Sequence, residues 1–264
     1  MKPGEIQTAI LTRPAGRNDG LATRLRAAGW DVHAWPALRI EPLVPGPAGI
    51  PLPRDFDLAV FVSGNAASRY LDQLQALGMG AWPSSCVAAA VGPATAARLR
   101  ESGRLDARCV IVHPAADAPR HDSEALWELL AERGPIPRRV LLVRGTDGRD
   151  WLAQRLASHG AAVHLHAVYR RVPACWDAPA LAQLGRWAAA GHHPTWLLTS
   201  GEGIDAVRAN VVRAAAEAWW HACRFIVTHA RLADRLALPA QVAGRAVRVC
   251  APAEDAIFNA FVSA

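Results

Sequence analysis

The chain has 264 residues, a formal net charge of +6 and 52% hydrophobic residues, enough for a sizeable core and near the length at which one core divides into two. No apolar run approaches the ~20 residues that span a bilayer, and the five cysteines (Cys86, Cys109, Cys175, Cys223, Cys250) never form a C-x-x-C, which suits reduced core thiols rather than a disulfide scaffold or zinc knot. Lys2 is the only lysine, and the arginines are dispersed along the chain, a pattern that argues against nucleic acid and for a small anionic partner held by guanidinium forks.

The start, MKPGEIQTAIL, has no charged segment leading into an apolar core, so a cytoplasmic protein without a membrane partner is expected. Residues 6–11 form the first strand, and Arg13-Pro14-Ala15-Gly16 turns into a helix over 19–28, with a second strand over 30–35. Prolines and glycines recur over 36–53, which forbids a helix and predicts an extended crossing followed by a loop. Residues 56–63 are a buried-type strand. Ser63-Gly64-Asn65 leads into a helix carrying Ala66, Tyr70, Leu71, Leu74 and Leu77. A strand over 87–91 precedes Gly92-Pro93 and a helix over 94–100. After a strand over 110–112 and a loop over 113–119, Ser123, with Glu124 behind it, caps a helix containing Leu126, Trp127, Leu129 and Leu130.

Residues 140–143 are a strand, Gly145 and Gly148 flank a turn, and Trp151, Leu152, Leu156 and the stem of Arg155 fall at helical spacing until Gly160 stops the helix. The chain then runs extended to Pro173. Beyond it come a helix over 178–190, a strand over 195–199, the turn Ser200-Gly201-Glu202-Gly203, a strand over 225–227, a helix over 230–237, a strand over 247–249 and a last helix over 253–262. Strand and helix alternate throughout, the pattern of a parallel sheet covered on both faces.

One stretch occurs twice. Residues 141–173 slid back by 131 positions onto 10–42 give 12 identities in 33 positions without a gap, among them Arg144 on Arg13, Asp150 on Asp19, Arg155 on Arg24, Gly160 on Gly29 and His164 on His33. Chance in an Ala/Arg/Leu-rich chain gives about three, so an internal duplication is expected. Tyr169 falls on Leu38. Whatever the repeated fold requires there, a hydroxyl is not part of it.

In a parallel sheet the loops after the strands lie on one rim, where helix N-termini aim backbone N–H groups. The turns at such junctions are 13–17, 63–66, 92–95, 144–149, 200–203 and 228–231. If two rims face each other across a cleft, they offer hydroxyls, amides and Arg13, Arg17, Arg144 and Arg149 to a polyanion. The candidate binding residues are Arg13, Arg17, Ser63, Asn65, Ala66, Gly92, Arg144, Gly145, Arg149, Ser200, Gly201 and Thr228. Plainer readings compete: Ser63, Asn65, Ser200 and Thr95 suit helix first turns, Arg13 and Arg144 suit structural ion pairs, and Tyr169 suits packing. No P-loop, G-x-G-x-x-G, G-x-S-x-G or H-E-x-x-H pattern is present. His164 and His166 share a strand face but lack a carboxylate or cysteine partner, so no metal site is expected; His192-His193 reads as loop.

The segments LTRPAG (11–16), VFVSGNA (60–66), VGPATAARL (91–99), LLVRGTDGRDWLAQRLASHGA (141–161), VYRRVP (168–173) and TSGEGID (199–205), in this order and spacing, resemble the uroporphyrinogen-III synthase family. The resemblance implies an α/β fold of two flavodoxin-like parallel-sheet domains related by duplication, residues 1–36 plus 172–264 and residues 37–171, joined by a two-stranded antiparallel linker near 37–42 and 166–171. It also implies a cofactor-free, monomeric enzyme that cyclises hydroxymethylbilane, a linear tetrapyrrole with eight carboxylates, to uroporphyrinogen III with inversion of its last ring. Tyr169 matches the tyrosine proposed to protonate the leaving hydroxyl, with Thr95 as helper. The second half has Thr228-His229-Ala230-Arg231 where family members often carry a G-P-x-T turn, so Thr228 departs from the pattern. An alternative is a non-catalytic two-domain module that binds an anionic ligand.

Overall fold

A computed structural model of the chain describes residues 7–46, 49–106, 108–239, 244 and 246–263; Ile6, expected to open the first strand, lies outside them. β1 (Thr8–Leu11), α1 (Asp19–Ala27), β2 (Asp31–Ala34) and β3 (Leu38–Pro42) open the chain. They are followed by β4 (Leu58–Phe61), α2 (Gly64–Ala76), β5 (Val87–Ala90), α3 (Pro93–Glu101), β6 (Ile111–Val112), α4 (Ser123–Glu132), β7 (Arg139–Gly145), α5 (Trp151–Ser158) and β8 (Ala162–Pro173). The remainder is α6 (Ala178–Ala190), β9 (Thr195–Leu198), α7 (Gly201–Arg213), α8 (Glu217–Trp220), β10 (Arg224–Val227), α9 (Ala230–Arg235), β11 (Val247–Val249) and α10 (Glu254–Val262). The chain divides into two compact units: the first is Met1–Arg39 with Val172–Ala264, the second Ile40–Arg171.

The first unit holds a sheet in the order β11-β10-β9-β1-β2, every neighbouring pair parallel. Numbered along the chain this is 2-1-3-4-5, the doubly wound flavodoxin-like order. The second sheet runs β3-β8-β7-β4-β5-β6, and its pairs from β8 to β6 are parallel. Starting that count at β7 gives the same order, so the second unit is a chain permutation of the first arrangement.

The central strands are apolar on both faces because helices cover both. Ala59 and Phe61 of β4, with Leu141 and Val143 of β7, pack into one cluster with Tyr70 and Trp82; Leu58, Val60, Val140 and Leu142 pack into another with Leu126, Trp127 and Leu156. In the first unit Ile10, Trp196 and Leu198 meet Trp176, Trp187, Trp219 and Trp220, while Ala9, Leu11 and Leu197 meet Trp30, Ile257 and Phe261. Such continuous hydrophobic runs belong to parallel strands buried on two sides.

Local chemistry differs from expectation in three places. Asp122, not Ser123, caps α4: its carboxylate accepts from the Ala125 N–H at 2.8 Å, and Ser123 is the first helical residue. An ionised carboxylate there meets both the orphan amide and the positive end of the helix. Leu77 is the 54% exposed residue after α2, and Val110 precedes β6 and is 49% exposed.

The repeated stretches adopt matching geometry. Thr8 pairs with Asp31 and Leu11 with Ala34; Arg139 pairs with Ala162 and Leu142 with Leu165. Gly29 and Gly160 end α1 and α5 at φ of 86° and 88°. The Arg24 guanidinium lies 4.4 Å over the Phe258 ring and that of Arg155 lies 5.1 Å over Trp127.

His166, on β8, is buried and bonds Gln73 of α2 at 2.8 Å, and the Gln73 amide donates to the Leu43 carbonyl at 3.3 Å. Its partner is therefore the Gln73 oxygen, to which the ring donates. His164 packs against Phe56, and among the described residues no group of three or more His, Cys, Asp or Glu is placed to hold a metal. Burial, with a smaller contribution from His164, lowers the His166 pKa from 6.5 to about 4. Since the unfolded chain takes up this proton first, stability is full above about pH 6.5 and declines as the pH falls toward about 4. His166→Gln is expected to lose less stability than the wild type across that interval in urea unfolding; equal losses would dismiss the histidine as the source.

Candidate functional site

In the second unit the C-terminal strand ends line up as β8, β7, β4, β5 and β6, which brings 144–149, 63–66 and 92–95 to one rim. Ser63 is extended (φ −163°, ψ 161°) and caps α2, its Oγ accepting from the Ala66 N–H at 3.1 Å. The same Oγ lies 3.2 Å from the Tyr169 hydroxyl. Tyr169 comes from β8 and is 7% exposed. Its backbone carbonyl accepts from the Thr146 N–H at 3.0 Å, just past a register shift between Arg144 and Gly145. Thus Ser63, Gly145 and Tyr169 converge. The phenol has a polar partner, as buried tyrosines usually do, and its ring packs into the cluster around Phe61 and Tyr70.

Thr95 is buried in the first turn of α3, which Gly92 precedes as the N-cap and Pro93 opens. β5 neighbours β4, so this turn adjoins the Ser63 turn along the rim. Asn65 is exposed in the first turn of α2, and Ala66 supplies the amide already used by Ser63.

The four arginines divide into two kinds. Arg144 is buried; its guanidinium pairs with Asp150 and donates to the carbonyls of Gly148 at 2.8 Å and Gly145 at 3.2 Å. Arg149 grips Glu124 through two bonds of 2.6 and 2.9 Å, which holds the Glu124 carboxyl below its ordinary range. A substrate carboxylate would have to displace Asp150 or Glu124. Sequence reasoning missed both partners, although Asp150 stood in the repeat beside Arg144.

Arg13 is different. It is half-buried and without an ion-paired carboxylate among the described residues; its guanidinium donates to the Arg17 carbonyl at 3.4 Å. Burial lowers its pKa below the ordinary arginine value, partly opposed by Glu254. Arg17 is exposed.

The first unit presents its own rim, with strand ends β2, β1, β9, β10 and β11 in line. Ser200 repeats the Ser63 geometry (φ −152°, ψ 153°), capping α7 by accepting from the Gly203 N–H at 3.1 Å. Gly201 follows it, closely approached by the side chain of Arg235, which pairs with Asp205. Thr228 is half-buried and precedes His229, whose ring accepts from the Arg231 N–H at 3.1 Å and caps the short α9.

With this geometry in view, comparison with known proteins is decisive on family. The family model described as Uroporphyrinogen-III synthase HemD matches residues 19–243. Uroporphyrinogen-III synthase of Salmonella typhimurium is 30% identical over 233 residues, 85% of this chain and 88% of that protein. The Escherichia coli enzyme of that name is 27% identical over the same shares. Among solved structures, uroporphyrinogen-III synthetase from Helicobacter pylori (TM-score 0.57, 15% identity, 98% of this chain and 99% of that one) shares the fold. So does a mutant uroporphyrinogen III synthase from Thermus thermophilus (TM-score 0.54, 16% identity, 97% and 98%). A doubly wound pair of parallel sheets, a serine-capped rim in each and a family match running through nearly all of these elements together establish that the chain belongs to the uroporphyrinogen-III synthase family.

Proposed function

We propose that this chain closes hydroxymethylbilane to uroporphyrinogen III, inverting the last ring, in heme biosynthesis. The observation that carries the chemistry is the Tyr169 phenol held 3.2 Å from Ser63 at the N-terminus of α2. Loss of the substrate's terminal hydroxyl requires a proton. Tyr169 donates it, the C–O bond breaks, water departs and a cationic azafulvene remains. Ser63 donates to the phenolic oxygen as charge develops there, and the positive end of the 13-residue α2 favours that charge. The proton released when the closed macrocycle regains its aromatic pyrrole returns to Tyr169, so the phenol ends as it began. Thr95, on the neighbouring turn, is the second hydroxyl of this rim.

The substrate's carboxylates call for cations and free amides. Arg13 and Arg17 meet that need directly, whereas Arg144 acts by holding the 145–150 turn in shape. Holding the chain curled so that closure occurs at the substituted carbon is a matter of orientation.

Two finer readings accompany this. The units descend from one duplicated element: the identical strand registers, the twin left-handed glycines and the twin cation–π pairs support this. The crossings near 37–42 and 166–171 form a two-stranded antiparallel linker. Its support is the adjacency of β3 and β8 and two bonds whose numbers run in opposite senses, Leu43 N–H to the Val168 carbonyl and Ala174 N–H to that of Ala37, at 3.0 and 2.9 Å.

With enzymatically generated hydroxymethylbilane, Tyr169→Phe is expected to lower kcat about 100-fold while the unfolding midpoint stays near that of the wild type; turnover close to wild type would remove the phenol from the mechanism. Arg13→Ala is expected to raise KM more than it lowers kcat, the mark of uniform binding. Arg144→Ala is expected to lower stability by about 1–3 kcal/mol, because a buried side chain is removed and the buried Gly145 carbonyl loses its donor; unchanged melting with raised KM would make Arg144 a substrate contact instead.

A further inference from the structure

β8 and β4 lie on opposite sides of β7, roughly 9–10 Å apart at ordinary sheet spacing. The Tyr169 side chain starts on β8 and its hydroxyl meets Ser63 beyond the end of β4. It therefore lies across β7, and the residue beneath the ring is Gly145. A Cβ at Gly145 would stand 2.8 Å from the Tyr169 Cε2, 2.9 Å from Cζ and 3.2 Å from the hydroxyl oxygen. Real Cβ atoms essentially never make contacts under 3.0 Å such as the first two, and the ring is buried and has little room to yield. Gly145 has no positive φ, so backbone conformation does not explain its identity. Contact with the phenol does.

The backbone is shaped to the same end. Arg144 pairs with Ala167, but the next partner of Gly145 is Tyr169 rather than Val168. This bulge advances β8 by one residue and turns the phenol over the glycine, as bulges re-aim side chains near active sites.

In the repeated stretch Gly145 falls on Pro14 and Tyr169 on Leu38, so the copy without a phenol does not have the glycine either.

We propose that Gly145 is a positioning residue: its bare backbone is the seat that fixes the Tyr169 phenol for proton delivery to the departing hydroxyl. This rests on the reading of Tyr169 as the acid. It assigns Gly145 a role other than contact with substrate, and it makes the rim of the second unit the one at which ionisation takes place.

The test is a cycle of Tyr169→Phe, Gly145→Ala and the double variant, read as kcat, KM and thermal unfolding. Gly145→Ala is expected to lower kcat about tenfold or more, with KM within about threefold of wild type. Added to Tyr169→Phe, it should slow the enzyme by no more than about twofold, since the phenol it positions is already gone. If Gly145→Ala leaves kcat intact, or slows Tyr169→Phe as much as it slows the wild type, the seat is overturned. If Tyr169→Phe alone stays fully active, the reading beneath it fails first and separately. Should Gly145→Ala not fold, the wild type still decides. Only two tyrosines are present, so labelled ring signals assigned with Tyr70→Phe should show a nuclear Overhauser contact from the Tyr169 ring to the Gly145 α-protons, and its absence overturns the proposal.

Discussion

A side chain rooted on one strand of a parallel sheet reaches the turn of the next strand but one only by lying across the strand between them, and here that crossing is made by a single phenol. The constraint sets several identities at once. The strand beneath must offer bare backbone, met by Gly145; the crossing strand must slip by one residue, met by the bulge at Val168; and the far turn must end in a hydroxyl, met by Ser63. Ser63 is also tied into the fold as the cap of α2. The Tyr169 contact thus uses an atom whose position is fixed by the start of a helix.

The charges obey a second division of labour. Arg144 and Arg13 occupy the same place in the repeat, yet one is buried with a carboxylate and two carbonyls for company and the other is half-buried without an ion pair among the described residues. Burying a guanidinium is tolerable only when its donors are matched. The matched copy organises a turn. Burial lowers the pKa of the other, partly opposed by Glu254.

Much of this could be read in the sequence. Alternating apolar runs and helical spacings gave most strands and helices within a residue or two, because buried parallel strands and covered helices leave strong periodic signals, but α7 and α8, between the Ser200 turn and β10, were not named. The convergence of 63–66, 92–95 and 144–149 was legible because all three follow strands of one sheet. What was not legible was partner choice. Asp150 and Glu124 capture two of the arginines through tertiary contact, Asp122 takes the cap from its neighbour Ser123, and the bond from His166 to Gln73 spans 93 positions. None of these leaves a periodic trace. Gly145 looked like a turn glycine, and only the ring above it reveals why nothing larger stands there.

The permuted order of the strands has a consequence for how the molecule is made. β1 is wholly buried between β2 and β9, so this apolar strand lacks one neighbour until the ribosome has added the residues that separate Leu11 from Thr195. At ordinary elongation rates that interval is on the order of ten seconds. The second unit, continuous from Ile40 to Arg171, emerges complete in the meantime. Until β9 follows, β1 stays half-paired, an exposed apolar edge, while the second unit already has all its strands.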